Sequence, residues 1–242
     1  MTPSTTPLAL CGELLRDPEG LVARAAAPDA YARLAPRVLG IAVAAAALFG
    51  AVVGSYRGGP QVAYAAVKMP LLLLVPLVVG LPAVRALFHL AGRPTGAQTL
   101  SMAGLVAMAR TSLVALAAAP VLWLAYDATV DYHLAVVLLA GVLVVAGLAG
   151  LPSLAKGFGP PTHKSRLAAV AALLLVGAVT AQTGWVLRPF VARPRADVAL
   201  FRPIEGDILG SLVRAPLAAV DIYVDYAPRR SPWRDVDVPD AE

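Results

Sequence analysis

Charged residues are scarce in this chain. Only 14% of its 242 residues are Asp, Glu, Lys or Arg, whereas 59% are hydrophobic and the mean hydropathy is +0.73. A soluble domain carries about 25% charged residues, because its surface faces water. The shortage excludes water as the main solvent of this chain and indicates an integral membrane protein.

Cysteine and grouped metal ligands are also lacking. Cys11 is the only cysteine, which excludes an intrachain disulfide and a cysteine-cluster metal site. His89, His133 and His163 lie far apart, and none has a ligand-type residue three or four positions away. The chain also has no His-Glu-x-x-His helix and no phosphate-binding glycine loop. We therefore predict no catalytic residue, no metal site, no cofactor and a protein that is not an enzyme.

Five strongly apolar stretches dominate the remaining sequence. Each runs for about 16 to 22 residues without a formal charge, close to the ~20 residues that a helix needs to cross ~30 Å of hydrocarbon. They are Val38 to Tyr56, Met69 to Val84, Thr111 to Tyr126, Leu134 to Ala155 and Leu167 to Leu187. The pattern predicts an all-α, polytopic membrane helix bundle with about five transmembrane helices.

The chain divides into three predicted parts. Residues 1–35 form an amphipathic cytoplasmic segment, 36–187 the transmembrane domain and 188–242 an extracytoplasmic tail. Apolar residues of the first part recur at helical spacing, so this part either lies in the membrane interface or rests as a collar on the bundle. Within the tail, 204–226 is also amphipathic.

Basic residues are distributed unevenly between the joints that connect the stretches. With the amino terminus inside the cell, the inner joints hold nine basic residues and the two outer joints hold Arg57 alone. The nine are Arg16, Arg24, Arg33, Arg37, Arg85, Arg93, Lys156, Lys164 and Arg166. Positive charge stays on the cytoplasmic side, so we predict a multi-pass protein of the bacterial inner membrane with a cytoplasmic amino terminus and an extracytoplasmic carboxyl terminus. Because the charges are scattered, we predict no nucleic-acid partner.

Two candidate intramembrane polar residues, Lys68 and Arg110, fall within the predicted helices. A charge at the bilayer centre costs at least about 2.5 to 3.5 kcal/mol, so such residues usually mark a pathway, an ion pair or an interface. Lys68 lies near the outer start of its helix and Arg110 near the inner boundary, so snorkelling or a bond to a backbone carbonyl explains both. No Asp or Glu lies within the five stretches, which argues against transport coupled to protons or sodium.

Arginine and aromatic residues follow the fifth stretch. Trp185 and Phe190 suit the aromatic belt of a membrane interface, and Arg188 suits a headgroup phosphate, so a membrane anchor is one interpretation. The other is a docking surface, because arginine and aromatic residues are enriched at protein contacts. The candidate docking residues are Trp185, Arg188, Phe190, Arg193, Arg195, Phe201, Arg202 and Leu212.

The order of these elements resembles the Yip1-like family of multi-pass membrane proteins, over about Ala35 to Leu187. In detail, Leu87 to Ala118, with Gly92, Arg93 and the pair Gln98 to Thr99 before a small-residue helix, is similar to the joint between the second and third helices of bacterial members. The resemblance implies membrane organisation or partner recruitment rather than catalysis. It assigns a role to no single residue.

These patterns together predict a non-catalytic structural or accessory subunit of a larger membrane protein complex. Its partners would be the lipid bilayer and other membrane protein subunits, with homo-oligomers left open. The alternative is a small-solute transporter or channel. Pro70, Pro76 and Pro82 predict that the second helix is kinked or locally unwound, and carriers build their binding sites at such breaks.

Overall fold

A computed structural model describes residues 6–92, 96–128, 132–156, 163–187 and 190–191 of the chain. Within these ranges the chain forms seven α-helices and no strand, which confirms the predicted all-α class. The helices are α1 Pro7–Arg16, α2 Pro18–Arg24, α3 Pro28–Ser55, α4 Pro60–Leu90, α5 Ala97–Asp127, α6 Tyr132–Lys156 and α7 His163–Leu187. The last five are long and apolar enough to cross a membrane, as predicted. The predicted amphipathic segment 204–226 lies outside the described residues.

Helices α1 and α2 form a short collar. Each begins with a proline, whose fixed φ suits the first helical turn. Asp17 lies between them and accepts a hydrogen bond of 2.9 Å from the backbone N–H of Gly20, which caps α2. Leu10, Leu14 and Leu21 are buried against α3 and α5. These contacts pack one apolar face of α1 and α2 on the bundle, while Leu8 and Leu15 of α1 remain exposed.

The first spanning helix, α3, begins earlier than the sequence predicted. It starts at Pro28 and continues through Pro36, whereas the apolar stretch starts at Val38. The predicted boundary between residues 35 and 36 falls inside this continuous helix. Ala35 and Val38 are buried in the cluster that the collar covers, so tertiary contacts stabilise polar turns that hydropathy alone does not mark.

The five long helices run alternately in opposite directions. Helix α3 lies in the middle, packed against α4 and α5, while α7 packs outside α4 and α6 packs outside α5. Helix α7 is antiparallel to α4, because Gly184 faces Leu72 and Gly80 faces Val176. We call the end at which α1 and α2 lie the collar end, and the end at which α7 stops the tail end.

Helices α3 and α4 approach each other through Gly50 and Gly54, which lie one turn apart on α3. A β-carbon at Gly50 would collide with the backbone carbonyl of Ala65, and one at Gly54 would collide with the backbone of Gln61. Such small-xxx-small pairs let helix backbones come into direct contact in membranes. The contact sets the register in which α4 runs back along α3.

The proline-rich helix α4 is continuous from Pro60 to Leu90. The sequence predicted a kinked or locally unwound helix; the helix is not unwound, although Pro70, Pro76 and Pro82 all lie inside it. Pro70 and Pro76 are buried within the bundle. Prolines are tolerated in spanning helices because neighbouring helices cover the backbone groups that the missing hydrogen bonds free.

The α3–α4 contact predicts that Gly50→Ala lowers the free energy of unfolding by about 1 to 3 kcal/mol, because the new methyl group forces the two backbones apart. The control is Gly147→Ala on α6, where a β-carbon meets nothing within 4 Å. Losing a helical glycine there should leave stability unchanged or raise it. Thermal unfolding of the wild type and both variants in one detergent, followed by size-exclusion chromatography, gives the unfolding midpoints. A midpoint of Gly50→Ala equal to that of the wild type would contradict the close contact between α3 and α4.

Candidate functional site

The tail end of the bundle gathers aromatic and polar side chains from several helices. We call Tyr56, Gln61, Tyr126 and Phe190 the tail-end cluster. The rings of Tyr56 and Tyr126 meet edge to face, with centroids 5.1 Å apart. Both rings and Phe190 pack against one apolar core that all five long helices share.

A tight reversal brings Gln61 into this cluster. Gly58 and Gly59 adopt positive φ angles of 75° and 59°, a region that glycine enters without steric cost. The chain therefore turns within four residues between Ser55 and Pro60, and the first turn of α4 returns beside Gly54. Gln61 ends up completely buried.

Gln61 ties the segment after α7 to the start of α4. Its Nε2 donates a hydrogen bond of 2.9 Å to the backbone carbonyl of Phe190. The next residue, Val191, is only 4% exposed. This bond pairs the buried Nε2 of Gln61 with the carbonyl of Phe190, as polar groups require where water is excluded. The chain that follows α7 is thus anchored to the bundle at its first residues.

Lys68 lies deeper along the same side of α4. It follows Gln61 by seven residues, about two turns or ~10 Å, and its side chain is 1% exposed. Lys68 therefore does not snorkel to the protein surface. It takes part in a polar or electrostatic interaction inside the bundle. The register of α4 against α7, with Leu72 facing Gly184, places Lys68 close to the end of α7.

Arg110 occupies the opposite half of the bundle. Its Nη1 donates a hydrogen bond of 3.1 Å to Oγ of Ser153, which is 2% exposed, three residues before α6 ends. Its Nε is buried without a hydrogen-bond partner in the described part of the chain. Counted from the tail-end termini of α4 and α5, Lys68 lies about 12 Å deep and Arg110 about 26 Å deep. The structure does not bring the two predicted cations together.

The candidate docking residues are described only in part. Trp185 is half-buried on α7 and makes a contact within the protein. Phe190 packs partly against the core, so it anchors the chain as well as facing outward. The other candidates lie outside the described residues: Arg188, Arg193, Arg195, Phe201, Arg202 and Leu212.

Sequence reasoning missed three features that matter here. Gly50 and Gly54 form a GxxxG pair, a signal that was visible in the sequence. Gln61 precedes Lys68 by one heptad, which also indicates a shared helix face. Ser153 carried no signal, because a serine near a helix end is common and its partner Arg110 lies on another helix.

These polar groups form hydrogen bonds that hold the helices together. Amide, hydroxyl and guanidinium donors bond carbonyl or hydroxyl oxygens between helices, and other hydroxyls bond within their own helix. Ser112 bonds the carbonyl of Met108 at 2.9 Å, and Thr180 that of Val176 at 2.7 Å. Among the described residues, no group of three or more His, Cys, Asp or Glu side chains could hold a metal ion.

The anchor predicts that Gln61→Leu costs about 1 to 3 kcal/mol of stability, because it leaves the carbonyl of Phe190 without its donor. The same change should speed protease cleavage after α7. Gln182→Leu on the exposed face of α7 is the matched control and should alter neither quantity. Limited proteolysis and thermal unfolding of both variants test this, and unchanged cleavage in Gln61→Leu would contradict the anchor.

Comparisons with known proteins found no relative of this chain. No protein-family model, curated protein or solved structure matches the chain. The resemblance to the Yip1-like family therefore stays a prediction from the sequence.

Proposed function

We propose that this protein is a non-catalytic structural or accessory subunit of a larger membrane protein complex in the bacterial inner membrane. In this proposal the five long helices bind neighbouring subunits, and the tail after α7 contributes a docking surface. The Yip1-like resemblance supports the same class of function, since it implies partner recruitment rather than catalysis.

The observation that carries this proposal is the unequal cover of the five long helices. In its most apolar window, α3 is 44% buried and α5 is 50% buried, against 22% for α6 and 17% for α7. Large apolar side chains project from both flanks of the bundle: Val144, Val145 and Leu148 on α6, and Val170, Leu173 and Leu174 on α7. Spanning helices associate by van der Waals packing, so these uncovered faces are open to other subunits as well as to lipid.

The hydrogen bond between Gln61 and Phe190 supports the proposed docking surface after α7. Gln61 holds the carbonyl of Phe190, so Phe190 and Val191 are fixed against the bundle within the proposed docking segment. Arginine and aromatic residues from Arg188 to Arg202 would then be presented next to an open helix face. Such residues supply most of the binding energy at many protein contacts.

The distribution of charged and aromatic residues supports the proposed orientation. Arg37 and Arg110 lie on α3 and α5 about 26 to 27 Å from the tail-end termini of their helices, close to one hydrocarbon thickness. Tyr56, Tyr126 and Tyr132 lie at the tail end, where an aromatic belt would meet the lipid headgroups. A basic collar end favours the cytoplasm, which supports an amino terminus inside the cell and a tail outside it.

The transporter alternative is favoured by the buried cation Lys68, since intramembrane ionisable residues often mark a substrate route. It is weakened by α4, which passes Pro70, Pro76 and Pro82 without the break that carriers use. The accessory role therefore has the stronger support.

The accessory role predicts that deletion of residues 192–242 weakens partner association while the bundle keeps its thermal stability, because the Gln61 anchor to Phe190 remains. Purification from the native membrane in mild detergent, with identification of the co-purifying proteins, measures the association. The matched control deletes residues 228–242 only and should keep the partners. Solitary behaviour of the full chain, or an unchanged partner set after the longer deletion, would refute the docking role of the tail.

Substitution of Lys68 separates the two functions. Lys68→Met keeps the length of the side chain, so an accessory subunit should lose some stability but keep its partners and cause no change in solute flux. A transporter should instead lose flux at least tenfold. Uptake into vesicles that contain the wild-type chain, Lys68→Met or Arg110→Met gives the comparison, and a flux that depends on Lys68 would favour the alternative.

A further inference from the structure

A groove lies between the start of α1 and the outward face of α3. Its volume is about 390 Å³. The side chains that line it are mostly small or apolar, and one of them is charged: Thr6, Leu10, Arg37, Gly40, Ile41 and Ala44. Because Arg37, Gly40 and Ala44 are exposed, the groove is open at the surface of the bundle.

The shape of the groove follows from small residues on one face of α3. Arg37, Gly40 and Ala44 recur at helical spacing, so they lie above one another along the helix. A β-carbon added at Gly40 would meet nothing within 4 Å, and Ala44 contributes one methyl group. Leu48, one turn beyond Ala44 on the same face of α3, is a 59% exposed apolar side chain. The floor of the groove is therefore formed by small and apolar residues.

The collar end of the groove is electropositive. Arg37 has no hydrogen bond or ion pair among the described residues. The first turn of α1 adds free backbone N–H groups, because Thr6 makes no side-chain cap and the turn holds no acidic residue. Helix amino termini with unpaired N–H groups attract anions, and arginine binds phosphate in a bidentate manner.

The depth of Arg37 matches that of a lipid phosphate. Arg37 lies 18 residues before the end of α3 at Ser55, a distance of about 27 Å along the helix. The hydrocarbon layer is about 30 Å thick. If Ser55 lies at one interface of the bilayer, Arg37 therefore lies near the opposite interface. Gly40, Ala44 and Leu48 then lie at the depth of the acyl chains. Charge and apolar surface are thus arranged in the order found in a phospholipid.

We propose that the groove between α1 and α3 binds one anionic phospholipid. Arg37 and the amino terminus of α1 bind the phosphate, and an acyl chain lies along Gly40, Ile41 and Ala44. This site does not depend on the accessory role proposed above. The bound lipid would contact both α1 and α3 and would hold the collar at the membrane surface.

The test uses the full chain in mild detergent, stripped of native lipid and titrated with fluorescent phosphatidylglycerol or with phosphatidylcholine of the same chains. The wild type should bind phosphatidylglycerol about fivefold more tightly, since one arginine near anionic lipid contributes about 1 kcal/mol. Arg37→Gln should remove this preference. Arg85→Gln is the control, because Arg85 is exposed on α4 away from the groove, and it should keep the preference.

Filling the groove tests the acyl-chain part of the site. Gly40→Leu should weaken binding of both lipids at least threefold while the unfolding midpoint stays equal or rises, because the new side chain enters open space. Ala44→Leu provides a second blocking variant. Gly177→Leu, at an open position on α7, should bind both lipids like the wild type.

Three results would overturn the proposal. The first is equal affinity of the wild type for the two lipids. The second is unchanged binding in both groove-filling variants. The third is displacement of phosphatidylglycerol by an equal concentration of inorganic phosphate, which would show a site for free anions rather than for a lipid.

Discussion

The contact between the backbones of α3 and α4 is the constraint on which the rest of this structure depends. Gly50 and Gly54 remove the side chains that would hold the two helices apart, so α4 has one register along α3. That register buries Gln61 and points Lys68 into the bundle. Since α7 packs on α4, the same register also decides where Phe190 meets Gln61.

A membrane interior offers no water to polar groups, and side chains in the described part of this chain make two kinds of hydrogen bond there. Gln61 and Arg110 each bond a group on another element, which links α4 to the segment after α7 and α5 to α6. Ser112, Thr180 and Thr183 instead bond a carbonyl one turn earlier on their own helices. The first group fastens helices together, whereas the second is satisfied locally and leaves the helix surface apolar.

The two ends of the bundle differ in chemistry, and the proposals rest on that difference. The tail end carries aromatic rings and an anchored chain, which suit contact with proteins and headgroups. The collar end carries exposed arginines, with a groove at Arg37 that suits an anionic lipid. Of the five long helices, α6 and α7 are the least covered by the rest of the protein, and the proposed accessory role depends on these open faces.

Hydropathy was enough to predict the five spanning helices, because lipid imposes the length and the lack of charge on each of them. It underestimated the length of α3, which begins at Pro28 and whose first turns pack in the cluster that the collar covers. Of the kink or local unwinding predicted at the prolines of α4, the unwinding does not occur, because neighbouring helices cover the freed backbone. The pair Gly50 and Gly54 signals a close contact but does not name its partner.

The amino-acid sequence by itself determined the solvent, the all-helical class and the charge difference between the two ends, because these follow from composition and from the order of residues along one chain. Only the tertiary structure decided that the collar covers α3 and α5, that Lys68 is buried and that Gln61 bonds Phe190. The reason is physical: each of these depends on which helix faces lie together, and residues 129 positions apart carry no local signal of their contact.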